Sequence, residues 1–175
     1  MTPDLRTVAV AATVLLVSSI VGPAPAGAQA PGAVPGDILA IAGDVTQPLT
    51  IKATDLKTMP RTTVTVSEEG REVSYEGVLV GELLKRAGAP VGRDLSGKAV
   101  ATYVRASAKD GYQVVFSLAE LDPSFTPNDI IVADTIDGKP LFDYQGPLRI
   151  VAPHDKRGAR SIRMLRRIEV VRLVK

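Results

Sequence analysis

The residues best suited to chemistry lie together near the C-terminus, in "PHDKRGARS" from 153 to 161. Lys156, Arg157 and Arg160 surround Gly158, and Ser161 follows. A glycine-containing loop lets successive backbone N–H groups turn inward as an anion-binding nest. Arg160 would add a planar two-donor grip on a phosphate, Lys156 a mobile point charge, and Ser161 one further donor. Arg149 comes earlier, in an apolar strand, and is expected outside such a nest. The pattern is no Walker loop, and a solvated basic turn accounts for the charges equally well. His154 is the only histidine in the chain. Lacking a second histidine or a cysteine, it belongs to no ordinary zinc set. Ligand contact or proton transfer at His154 therefore stands against a plain loop histidine bonded to backbone or water.

Other chemistries find less support. No serine sits in Gly-x-Ser-x-Gly, so there is no nucleophile elbow for a triad. Asp134, Asp137 and Asp143 flank a turn and read as solvating groups, not as the paired acids of a glycosidase. Arg163, Arg166, Arg167 and Arg172 are spread through alternating strand sequence, with Tyr144 the one nearby aromatic, so nucleic acid is not expected as a partner. Anionic lipid or envelope polymer stays open for that basic section. Arg105 and Tyr112 stand at the two ends of a hairpin in "RASAKDGY", where both can face one pocket. A Tyr112 ring packed half-buried at the surface is the competing reading.

The rest of the chain must place these groups. It has 175 residues and no cysteine, which excludes disulfides, thiolate nucleophiles and cysteine-held metals. Net charge is only +2 but uneven: residues 31–143 carry a net of −5, and residues 144–175 a net of +7. That local positive field draws anions whatever the total. Arg6, the apolar run from Val8 to Val21 and "GPAPAGAQA" up to Ala30 form an export-signal pattern. The run is shorter than the about 20 residues of a membrane span, so no transmembrane segment is expected after cleavage. The expected organisation is a signal peptide at 1–30, a flexible lead-in at 31–36 and one domain at 37–175. The expected location is outside the cytoplasmic membrane: the periplasm, the cell envelope or the extracellular space.

Strands are expected in "ILAIAGDV", "PLTI", "KAVATYVRAS", "YQVVFS", "DIIVAD", "PLRIVA" and "RRIEVVRLV". "TVTVS" and "REVSY" alternate in period 2 around the polar "EEG", a hairpin signal. The main helix is expected within "GVLVGELLKRAGAP", with Val80, Leu83, Leu84 and Ala87 on one face, a Glu82–Arg86 pair on the other, and Gly88 as its cap. Gly81 is expected to mark a close approach to a sheet. Ser117 and Glu120 have capping-box spacing. Many short strands with one good helix give a mixed α+β domain with a largely aliphatic core.

The succession "SYEGVLVGELLKRAGA", "DGYQVVFSLAEL" and "NDIIVADTIDGKPLFDYQGPLRIVAPHDKRGARSIRMLRRIEV" resembles the oxidoreductase molybdopterin-binding domain of sulfite oxidases and periplasmic sulfoxide reductases. It is especially similar to short, exported bacterial versions made of this domain alone. The resemblance implies the mixed-sheet fold of that domain. It also implies a C-terminal basic loop that helps hold the phosphate and pterin parts of a molybdenum cofactor. By position, that loop is His154, Lys156, Arg157, Gly158, Arg160 and Ser161, with Asp110, Gly111 and Tyr112 at the characteristic hairpin. The family's enzymes hold molybdenum through a cysteine in the strand ahead of the Tyr-x-Gly element. The equivalent place here, Thr65 to Ser67, offers only hydroxyls, which are not soft ligands. Cysteine-ligated molybdenum is thus not expected, nor is the sulfite oxidases' extra dimerisation domain, while molybdopterin stays a candidate ligand. Three functions stay open: an exported binding domain for a pterin-like or other anionic ligand, a partner-binding envelope protein with a decayed pocket, and an oxidoreductase that retains its cofactor without a thiolate.

Overall fold

A computed structural model describes residues 38–127 and 129–173. The expected signal peptide and lead-in lie outside the described residues. The chain forms the mixed α+β fold expected of it. Among the described residues ten strands run in order: β1 (Ile38–Gly43), β2 (Leu49–Lys52), β3 (Thr62–Glu68), β4 (Arg71–Leu79), β5 (Thr102–Ala108), β6 (Gln113–Ser117), β7 (Ile131–Ile136), β8 (Lys139–Pro140), β9 (Arg149–Val151) and β10 (Leu165–Arg172). One short helix, α1 (Ala53–Leu56), follows β2, and the dominant helix, α2 (Val80–Arg86), follows β4 directly.

The strands make two sheets. The first has the order β2-β1-β10-β5-β6, with β1 and β10 parallel and its other pairs antiparallel. The second has the order β3-β4-β7-β8, and β9 pairs with β7 beside β8. Alternation decides which side chains face inward. Leu39, Ile41, Val104, Ala106, Ile168 and Val170 of the first sheet meet Val80, Leu83, Leu84, Val132 and Ile150 in one aliphatic core. A second cluster, with Tyr75, Ile131, Ala133 and Val151, covers the opposite face of β7. That two-sided burial explains why β7 reads as a continuous apolar run without alternation.

The local signals place most elements, with three differences. Lys98 to Val100, expected as the start of a strand, instead close a 3-10 turn over Gly97–Val100, and β5 begins only at Thr102. The helix begins at Val80, because Gly77 to Leu79 still pair with β7 as strand. A Cβ on Gly77 would overlap the Val132 carbonyl and come within 2.6 Å of the Ala133 Cα, so only glycine permits this pairing. Gly81 does mark a close approach, but to the Leu121 carbonyl in a short turn and not to a sheet. The expected pair forms with Arg86 Nε donating to Glu82 at 2.9 Å, and the reciprocal Ser117–Glu120 cap closes with two bonds of 3.2 Å. Glu69 and Gly70 both have positive φ, which forms the tight two-residue turn between β3 and β4 and sets Glu68 at the end of its strand.

Candidate functional site

A cleft of about 1400 Å³ opens where four loop regions converge. The end of β3 supplies Ser67 and Glu68, the β5–β6 hairpin supplies Asp110 and Tyr112, and the segment after β8 supplies Phe142, Tyr144 and Gln145. The β9–β10 loop contributes Lys156, Gly158, Ser161 and Arg163, with Arg149 of β9 below it. Tyr112, Phe142 and Tyr144 are 50%, 58% and 56% exposed, so three half-exposed rings line one cavity. The Arg163 guanidinium lies 5.0 Å over the Tyr144 ring.

The expected site residues divide between this cleft and other places. Lys156, Gly158, Ser161 and Tyr112 line it together. Ser161 Oγ accepts the Ala152 N–H at 3.1 Å, which ties the end of the loop to the strand before it. The Tyr112 hydroxyl donates to the Ala159 carbonyl at 2.9 Å, stitching the hairpin to the loop, and the Tyr112 N–H donates to Asp110 at 2.9 Å.

Arg160 does not line the cleft; its guanidinium is taken up by protein carboxylates. Nε and Nη2 donate to Asp155 at 2.8 and 2.6 Å, Nη1 donates to Glu120 at 2.9 Å, and the group lies 4.8 Å over the Phe116 ring. These carboxylates hold the Arg160 pKa above its ordinary value, the Asp155 bond most of all. Arg157 is exposed outside the cleft lining, as is His154, whose Nε2 is 3.9 Å from Asp129. Arg105 is separated from Tyr112. It projects from β5 of the first sheet, bonded to Glu169 of the neighbouring β10.

Three groups at the cleft carry more than the sequence suggested. Arg149 is 3% exposed, lies 4.6 Å over the Tyr75 ring and donates to Tyr75, Gln145 and Glu68. Burial drives the Tyr75 phenol up to about 12, with Glu68 adding to the rise and Arg149 opposing it. The available signal for Arg149 was a charge inside the otherwise apolar "PLRIVA", since a buried guanidinium requires compensation. Phe142 and Arg163 gave no comparable signal: an exposed ring or charge in a loop is ordinary.

The donor set does not fit a thiolate-held molybdenum centre. The chain contains no cysteine, and the end of β3 presents the Ser67 hydroxyl and the Glu68 carboxylate, both hard oxygen donors. Among the described residues, no three His, Cys, Asp or Glu side chains are grouped to hold a metal ion. Among them, too, no helix is long and apolar enough to cross a membrane.

Residues 35–174 match the family described as oxidoreductase molybdopterin binding domain. Among solved structures, the chain is similar to the sulfane dehydrogenase SoxCD from Paracoccus pantotrophus, with 21% identity and a TM-score of 0.61. The match covers 79% of this chain and 39% of that one, so this chain spans well under half of that relative, and the likeness concerns the fold. No match was found among curated proteins.

Proposed function

The chain belongs to the oxidoreductase molybdopterin binding domain family, and from that membership we propose that it is an exported, noncatalytic binding domain. Its cleft takes a flat, phosphorylated heterocycle of the pterin or nucleotide kind and holds it without a protein thiolate. The signal pattern at 1–30 supports export, and the domain following the lead-in does the binding.

One observation carries this reading: Lys156, Gly158, Ser161 and Arg163 line the same cavity as three half-exposed aromatic rings. Lys156 and Arg163 supply positive charge for a phosphate, while Gly158 lets the backbone approach it. Tyr112, Phe142 and Tyr144 offer faces on which a heterocycle can stack, an arrangement worth about 1–3 kcal/mol per stacked base in related sites. Arg160 serves by holding the loop through Asp155 and Glu120. His154 and Arg157, outside the lining, would reach only the outer end of a ligand, and Arg105 would not reach it. The absence of a soft ligand separates this cleft from the redox centres of its catalytic relatives.

Native mass spectrometry of the mature protein purified from its host, with metal analysis of the same sample, tests the reading. A retained pterin- or nucleotide-type mass without molybdenum is expected. Stoichiometric molybdenum would overturn the noncatalytic assignment. Protein that carries nothing and also fails to bind guanosine monophosphate would overturn the binding assignment.

A further inference from the structure

The floor of the cleft holds a cation whose charge is already met from within the chain. Arg149 sits in β9 between Leu148 and Ile150, both completely buried. Its Nη1 donates to the Tyr75 hydroxyl at 2.5 Å and to Gln145 at 2.7 Å, and its Nη2 donates to Glu68 Oε1 at 3.0 Å. Its Nε–H is buried and has no acceptor among the described residues. A guanidinium carries five donors, so this one is left incompletely matched where it borders a cavity lined by Lys156 and Arg163.

Glu68 is the adjustable member of the group. Its side chain is 33% exposed against 3% for Arg149, and it stands one residue before the Glu69–Gly70 turn. The Tyr75 hydroxyl, completely buried, donates to both Glu68 oxygens at 3.1 and 3.2 Å. Tyr75 is completely buried and Arg149 nearly so, whereas the Glu68 carboxylate is a third exposed at the edge of the cleft that both charged groups line.

We propose that Glu68 is an internal counter-anion occupying the oxyanion subsite of Arg149, so that a ligand phosphate reaches that guanidinium only by displacing it. This rests on the reading of the cleft as an anion site and adds the gate to it. With Glu68 in place the floor is neutral. Glu68, Glu69, Asp110 and Asp155 line the cleft together with Arg71, Arg149, Lys156 and Arg163, four acids and four bases, which balances the cavity as a whole. A monovalent carboxylate gains nothing by exchanging with another carboxylate. A phosphate dianion, with more charge and more acceptor oxygens, does gain. The gate therefore selects phosphate groups over simple acids.

Calorimetric titration with inorganic pyrophosphate tests this on the wild type, Glu68→Gln and Lys156→Ala. Glutamine keeps an acceptor for Tyr75 but removes the competing charge, so Glu68→Gln is expected to bind pyrophosphate about tenfold tighter than wild type. Equal or weaker affinity in folded Glu68→Gln would overturn the gate. If Glu68→Gln does not fold, Glu68→Asp replaces it, because its carboxylate retreats by one methylene; a gain in affinity supports the gate and no gain overturns it. Lys156→Ala reports on the underlying site separately. Weakened binding there with no gain in Glu68→Gln leaves the anion site standing without its gate. A gain in Glu68→Gln with Lys156→Ala unaffected supports the gate and removes the loop from the site. No binding by wild type or Glu68→Gln overturns both.

Discussion

Replacing Arg160 with alanine is expected to cost stability rather than binding. The arginine makes three charge-assisted bonds to Asp155 and Glu120 and covers the Phe116 ring. The three charged side chains are 35%, 20% and 29% exposed, so solvent screens them only in part. Ion pairs near the surface contribute about 0–1 kcal/mol each, and the bidentate Asp155 geometry belongs at the upper end. The cation over an aromatic face adds about 0.5–1 kcal/mol. Together these give a loss of about 2 kcal/mol for Arg160→Ala. For a domain of this size, that lowers Tm by about 4–8 °C. Thermal melts followed by circular dichroism measure it, and raised salt is expected to narrow the gap between wild type and variant, because screening weakens the pairs that the variant lacks. Affinity for guanosine monophosphate is expected to fall no more than about threefold, since that guanidinium faces protein carboxylates and not the cleft. An unchanged Tm with binding abolished would refute this reasoning and make Arg160 a direct ligand grip.

Further consequences follow from the buried polar groups and from the sheet. Asp134 accepts two bonds from Arg61 at 2.8 and 2.7 Å. Burial alone would raise its carboxyl, but the bonds from Arg61 and Thr135 outweigh it and hold the pKa below the ordinary range. A depressed folded value contributes stability above the unfolded value of about 4 and loses it as pH falls through the folded one. Wild type should therefore lose stability below about pH 4, and Asp134→Asn should be weaker at neutral pH by about 3 kcal/mol with a flatter acid profile, measured by denaturant midpoints across pH. Tyr75→Phe removes a hydroxyl shared by Arg149 and Glu68; it should cost about 1–2 kcal/mol and abolish the late tyrosinate absorbance step near pH 12. Gly77→Ala forces a methyl into the Val132 carbonyl and should destabilise by about 3 kcal/mol or more, or prevent soluble expression.

Much of the architecture was legible because it rests on local signals. The Glu69–Gly70 and Asp137–Gly138 turns, the Ser117–Glu120 cap and the apolar face of α2 each act within a few residues. The end of β4 was less legible, because the run from Val78 to Leu84 is apolar enough for strand or helix. Its pairing with Ile131 and Val132, far along the chain, decides the boundary. The expected site residues show the same limit. Lys156, Gly158 and Ser161 line one cavity because one loop carries them. Arg160 has the right chemistry for a phosphate grip and equally for a clamp; the fold brings Glu120 to it from 40 residues away. Arg149 meets Glu68 across 81 residues, a distance no local pattern spans. Arg105 and Tyr112 look adjacent in a hairpin, yet the pleat sends Arg105 toward Glu169 on β10 while Tyr112 turns to the loop.

The most direct measurement is amide chemical-shift mapping of the mature protein during titration with guanosine monophosphate, which joins an amino-oxopyrimidine ring to one phosphate. Saturable shifts at Tyr112, Tyr144, Lys156, Gly158, Ser161 and Arg163, with Arg105 and Glu169 unmoved, are the expected result. Shifts centred on Arg105 and Glu169, or none at any ligand concentration, would contradict a ligand cleft built from the basic loop and its aromatic rim.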